Sequence, residues 1–260
     1  MPRPQSPSSS SRKTLTRYRL LLAAFLLFAS TAQQYNVPFK HAAAVGGCGT
    51  PSATIKYWWV TDTGNITQDF GVTTWTDEQA ALDLVQTTDS KEPTLSSSYL
   101  NGLDAVLFDG TADFMSTTSF TELSAPTTIF GIFKATTSNS SDGFMDGIAS
   151  GKRRLIYNTG GVFMGFSGGN GNSGYTWDNA AHYFVWVFGD PEHEVYIDGS
   201  LTGSDSGSGN DGMTGVSLGA WYDQSNHSGV AWIEYGVVEG VISSGDRADM
   251  HTYLACRSGI

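Results

Sequence analysis

The stretch Val195-Tyr196-Ile197-Asp198-Gly199-Ser200-Leu201-Thr202-Gly203-Ser204 constrains this chain more than any other. A short apolar run enters an Asp-Gly pair, which readily supplies the positive φ angles of a two-residue turn, and a second run leaves it. It reads as a β-hairpin. Further strand-like runs occupy 55–61, 127–135, 144–149, 154–157, 162–166, 182–188, 194–197 and 230–238. In Ile129-Phe130-Gly131-Ile132-Phe133 and Tyr183-Phe184-Val185-Trp186-Val187 the apolar character is nearly continuous, which places both strands mid-sheet, one face on the core and the other partly covered. Adjacent Trp58 and Trp59 must face opposite sides of their strand, one into the core and one half-exposed. Residues 75–86 fit either one helical turn or an irregular packed segment. Segments 168–174 and 203–215 read as Gly-rich loops.

A run this rich in strands suits one large all-β domain, and 260 residues can bury a sizeable core. Before it, Arg3, Arg12, Lys13, Arg17 and Arg19 precede an apolar run at 20–29 and the small residues Ser30, Thr31 and Ala32. This pattern fits a secretory signal peptide, and otherwise a basic N-terminal arm. The apolar run is too short for a membrane span, which needs about 20 residues. Loss of these five cations takes the formal net charge from −11 to −16. So acidic a body repels phosphate backbones and excludes nucleic acid as a partner. Residues 33–53 read as a linker, and 54–260 as the domain.

The chain closes on a helix whose N-cap is Ser243, with Asp246 at the third position, Met250, Tyr253 and Leu254 on one face, and Gly259 at its end. Earlier, Asn101-Gly102 opens a strand that ends in Phe108-Asp109-Gly110, with Phe114 soon after. With the late hairpin, these stretches resemble a laminin-G-like domain of the concanavalin A-like family. The resemblance implies a jelly roll: two antiparallel sheets packed face to face, with a short C-terminal helix. It also implies rim loops that hold glycans or protein partners, and termini that lie side by side. Cys48 and Cys256 would then be placed to form a disulfide, the alternative being two buried free thiols. Rim calcium is implied too, with Asp205, Asn210, Asp211 and Asp223 as candidate oxygen ligands. The competing reading of those residues is solubility of a flexible loop.

Glycosidic hydrolysis needs two carboxylates about 5–10 Å apart. Glu192 and Glu194 share a strand face near Asp198, while Glu234 and Glu239 would face opposite sides of theirs; all read as solvated edge carboxylates. No nucleophile elbow, phosphate loop or zinc spacing occurs, and His41, His182, His193, His227 and His251 are scattered. Glycan recognition instead asks for aromatic faces beside amides and carboxylates. Tyr175, Trp177, Asp178 and Asn179 follow one Gly-rich segment; Trp221, Tyr222, Gln224 and Asn226 follow the other. The tryptophans could equally plug the ends of a sandwich. The expectation is a secreted, non-catalytic recognition or adhesion module for carbohydrate that requires no cofactor, with calcium as an optional ligand. The alternatives are a structural surface or virion-type protein, docked to an assembly partner by residues 1–52, and a jelly-roll glycoside hydrolase.

Overall fold

The computed structural model describes residues 47–260 except 62–63, 80–81, 138–140, 167, 169, 190–192 and 206–210. The leader at 1–32 and most of the linker lie outside the described residues. Among the described residues seventeen strands precede one α-helix. In chain order they are β1 (Ile55–Val60), β2 (Ile66–Gln68), β3 (Val72–Trp75), β4 (Leu84–Val85), β5 (Thr94–Leu100), β6 (Leu103–Asp109), β7 (Met115–Ser116), β8 (Thr127–Ala135) and β9 (Gly143–Asp146). There follow β10 (Leu155–Thr159), β11 (Val162–Phe166), β12 (Asn170–Thr176), β13 (His182–Phe188), β14 (His193–Ile197), β15 (Ser200–Asp205), β16 (Ser217–Leu218), β17 (Gly229–Glu239) and the helix α1 (Ser244–Ser258).

The strands form two antiparallel sheets. The first runs β15-β14-β13-β8-β17-β6-β5, with β1 also paired to β17; the second runs β12-β11-β10-β9-β16-β7-β4-β3-β2. Between them lies a core that includes Trp59, Trp75, Phe133, Phe144, Phe163, Phe184, Trp186 and Trp232. A second core, built on Phe130, Ile132, Tyr183, Val185 and Ile233, covers the other face of the first sheet and includes Met250, Tyr253 and Leu254 of α1. In β8 and β13 every residue but the half-buried Lys134 is buried, so these two strands are enclosed on both faces rather than partly covered on one. Both faces demand apolar side chains, which is why β8 and β13 show no alternation.

The helix begins as its sequence requires, with the Ser243 hydroxyl accepting from the Asp246 amide at 3.1 Å. It ends at Gly259, whose left-handed φ of 74° favours a residue without Cβ. Cys256, near its end, is bonded to Cys48, with Cα atoms 5.6 Å apart. Beneath it, Glu234 is fully buried. Its carboxylate accepts from Trp58 Nε1 at 2.7 Å, the Tyr253 hydroxyl at 3.1 Å and Arg257 Nε at 3.3 Å. The expectation of a solvated edge carboxylate is thus overturned at Glu234, since a bulge between Trp232 and Glu234 turns it under the helix. Glu239 does stay exposed and pairs with Lys56.

Two more expectations change. The segment 168–174 is not all loop, because β12 pairs with β11 from Asn170 onward. Residues 75–86 contribute the end of β3 and then β4, whose Leu84 is buried in the core.

Candidate functional site

The first group of expected residues sits where β12 passes into β13. Trp177 packs its ring 5.5 Å from Phe133, 6.1 Å from Phe144 and 5.8 Å from His182, closing one end of the core. Its indole N–H donates to Asn179 at 3.1 Å. Buried His182 sits among three groups. Its Nδ1 lies 2.6 Å from Asp198 Oδ2, and its Nε2 lies 2.9 Å from Asp178 Oδ1 and 2.8 Å from the Tyr175 hydroxyl. Burial lowers the His182 pKa, but the hydrogen bonds its ring donates to Asp198 and Asp178 outweigh it, and the net shift is upward. Tyr175 and Asp178 are thereby gathered around a histidine that sequence spacing alone left isolated.

The second group lies in the loop after β16. Trp221 stands over the Cα of Gly143, so that a Cβ there would collide with the indole. The Arg153 guanidinium lies 5.0 Å from the Trp221 ring and 4.6 Å from the Tyr222 ring. Arg153 in turn binds the fully buried Asp146, at 2.6 Å between Nη2 and Oδ2, and Asp146 accepts from the Tyr222 amide at 2.9 Å. Both aromatic side chains are half-buried, so this lock leaves the polar tip of the loop, Asp223, Gln224 and Asn226, to face solvent. Gln224 and Asn226 adopt left-handed φ angles of 61° and 48°.

The candidate calcium ligands fall in different settings. Asp223 accepts from the Ser225 amide and hydroxyl within its own turn. Asp211 faces the buried Arg154, whose pKa falls to about 10 through burial, with Asp211 and Glu122 opposing the fall. Asp205 ends β15, and Asn210 lies outside the described residues. Among the described residues no three His, Cys, Asp or Glu side chains are placed to hold a metal ion. Of the carboxylates weighed for hydrolysis, Glu192 lies outside the description, while Glu194 accepts from Arg247 at 3.1 Å and from the Tyr196 hydroxyl at 2.9 Å.

Two features were not anticipated. A cleft of about 340 Å³ opens beside Gln224. Val85 and Ser116, which line it, follow the buried Leu84 and Met115, so the period of a strand turns them to the face away from the core. Its wall is preorganised: the Gln86 amide donates to the Phe114 carbonyl at 2.9 Å and accepts from the Thr87 and Thr88 amides at 3.0 Å each. No signal in the sequence joins residues 85–91, 114–118 and 224, because only the sheet order brings them together.

Asp113 is the other. It is buried, accepts from the Asp109 amide at 3.0 Å, and lines a second cavity of about 280 Å³ together with Asp109. Burial, then the charge of Asp109, pushes its pKa up to about 6. Burial also acts to raise Asp109, but amide donors from Ala112, Thr111 and Asp113 outweigh it and hold that carboxyl low. Phe108-Asp109-Gly110 was legible as a turn, whereas its neighbour's perturbed acidity needed the burial.

No family model matches this chain, and no curated protein matches it. Solved structures do. A variant of GH54 α-L-arabinofuranosidase soaked with 4-nitrophenyl α-L-arabinofuranoside superposes with a TM-score of 0.56 at 16% identity, over 72% of this chain and 51% of its own. Domain 4 of AbnA, a GH43 extracellular arabinanase from Geobacillus stearothermophilus, in complex with arabinotriose, gives 0.55 at 12% identity, over 76% and 98%. Trypanosoma rangeli sialidase in complex with the inhibitor DANA gives 0.51 at 10%, over 92% and 39%. The chain thus spans about half the length of the arabinofuranosidase and less of the sialidase. At these identities the likeness establishes the fold, a two-sheet β-sandwich, and the laminin-G-like resemblance holds at that level.

Proposed function

We propose that this β-sandwich is a non-catalytic carbohydrate-recognition module. The observation that carries the reading is the open cleft beside Gln224, whose lining combines exposed threonine hydroxyls and an amide with apolar groups, the largely buried Phe114 among them. Sugars are bound by such mixtures, hydroxyls meeting hydroxyl- and amide-bearing side chains and C–H faces meeting aromatic rings. Fold neighbours soaked with an arabinoside, or in complex with arabinotriose or the inhibitor DANA, add support. Among the described residues no carboxylate side chain lines the cleft, which supports binding rather than hydrolysis there. The basic and apolar leader, with the disulfide, supports an exported protein.

A screen of the full chain against immobilised glycans tests this. Gln224→Gly keeps the turn at its left-handed φ and removes the amide, so retention should fall severalfold with thermal stability little changed. Failure to retain any glycan overturns the reading. A hydrolytic reading rests on a different observation, the Asp109–Asp113 pair, whose carboxyls are pushed apart in acidity beside a cavity. Reducing-sugar release from a retained glycan, abolished in Asp113→Asn, would establish it.

A further inference from the structure

We propose that the cleft beside Gln224 selects carbohydrate bearing a carboxylate, with Lys91 as the residue that reads the charge. The inference rests on the carbohydrate reading and specifies its ligand. Acidic residues outnumber basic ones 25 to 14 in this chain, yet among the described residues the cleft is lined by one ammonium and no Asp or Glu. An anion approaching this molecule is repelled by most of its surface, and Lys91 supplies the cleft with a cation that offsets this.

The position of that ammonium is built. Lys91 ends a 3₁₀ turn, Asp89–Lys91, and its backbone accepts from the Phe114 amide at 3.3 Å while its own amide donates to the Thr88 carbonyl at 2.8 Å. These bonds fix the Lys91 backbone against the cleft wall. Its Nζ stands 5.4 Å from the centre of the Phe114 ring, an arrangement that favours the cation over the aromatic face. The neighbouring carboxylate, Glu92, is directed elsewhere, accepting from the Gly71 amide at 2.8 Å. An ammonium is a compact point charge with three donors, suited to a carboxylate.

The rest of the lining distinguishes a sugar from other anions. The exposed Thr87, Thr88, Thr118 and Gln224 offer hydroxyls and an amide to a ligand dense in hydroxyls. Sugar hydroxyls both donate to and accept from these groups, whereas the oxygens of a phosphate dianion or a peptide carboxylate only accept. Phe70 adds an apolar face nearby: it is 81% exposed at the tip of the β2–β3 hairpin, next to Gly71, which packs on Glu92 and Pro93. Such an exposed ring can stack on a sugar unit outside the cleft.

The test is calorimetric titration of the full chain with oligogalacturonate, hyaluronan oligosaccharide and sialyllactose. Each is paired with a neutral counterpart: methyl-esterified oligogalacturonate, chitin oligosaccharide and lactose. At least one acidic probe should bind tenfold or more tightly than its counterpart, with the difference shrinking as salt rises. Lys91→Met, which keeps the apolar stem over Phe114, should remove that preference, and Lys91→Arg should retain most of it. Phe70→Ala should weaken both members of the pair. Equal binding of the acidic and neutral members, or a preference unchanged in Lys91→Met, overturns the charge assignment while leaving carbohydrate recognition standing. Binding of poly-glutamate as tightly as the acidic sugar overturns it as well. Absence of binding to any of the six sugars overturns the recognition reading itself.

Discussion

Asp113 is 8% exposed and binds its proton more tightly in the folded protein, with a pKa of about 6 against 3.8 for an ordinary aspartate. Folding therefore takes up a proton between those values, and raising the pH through that window removes stability. Asp113→Asn keeps an acceptor for the Asp109 amide without the like charge. It should raise stability at pH 7 by about 1–2 kcal/mol, and the gain should vanish near pH 4, as chemical denaturation at both pH values would show. Trp221 leads to an opposite expectation. Held between Gly143, Tyr157 and Arg153, it fastens its loop to the second sheet, and Trp221→Ala should cost about 2–3 kcal/mol by the same measurement. A change below 0.5 kcal/mol would refute this packing role. The sequence marked Trp177 and Trp221 as aromatics near loops, but the burial of one ring against Phe133 and the cation over the other depend on distant chain.

At the scale of elements, His182 pins the start of β13 to two separate turns, one carrying Asp178 and one carrying Asp198. Its pKa is raised on folding, so the stability it supplies is full below its ordinary value of 6.5 and is lost as pH rises through the higher folded value. His182→Gln should therefore destabilise the protein by about 1–2 kcal/mol at pH 6 and by clearly less at pH 9. Hydrogen exchange of the amides at 179–181 should quicken with pH beyond its intrinsic base dependence in the native protein, and not in the variant. An unchanged protection profile between the two proteins would exclude the pin. Elements with strong local chemistry were legible in the sequence: the Asp198-Gly199 hairpin, the capped helix, and the apolar runs of β8 and β13. Those written in small polar residues were not. In β5, Thr94-Leu95-Ser96-Ser97-Ser98-Tyr99-Leu100 has no sustained alternation, and in β12, Asn170-Gly171-Asn172-Ser173-Gly174 reads as loop. Both are terminal strands of their sheets, where pairing on one side supplies what side-chain patterning does not.

Across the whole molecule, the Cys48–Cys256 bond joins the first described residues to the last helix over a separation of 208 residues. In the chain-entropy model, closing so long a loop stabilises the fold by about 5 kcal/mol. Reduction should lower the thermal midpoint markedly, and Cys48→Ser with Cys256→Ser should do the same without a reductant. An unchanged midpoint in both would show that the two cores suffice alone. The two-sheet architecture was legible because strand spacing and a terminal helix are local facts. The cleft was not, since Lys91, Phe114 and Gln224 meet only through the order β16-β7-β4 and the loop that follows β16.

The central strand β17 has a consequence for how the chain is made. It pairs with β8 and β6 and also with β1, where Lys56 meets Glu239 across 183 residues. A nascent chain emerging from the ribosome thus carries β1, β6 and β8 without the strand that joins them until synthesis has passed residue 239. Until then β8 lacks one of its two neighbours, and the outer faces of β8 and β13 lack the closing helix. Such long-range closure makes folding slow and leaves those faces open to aggregation or to a chaperone. Arrested chains ending before residue 229 should remain protease-sensitive, and resistance should appear only after 239 has cleared the exit tunnel.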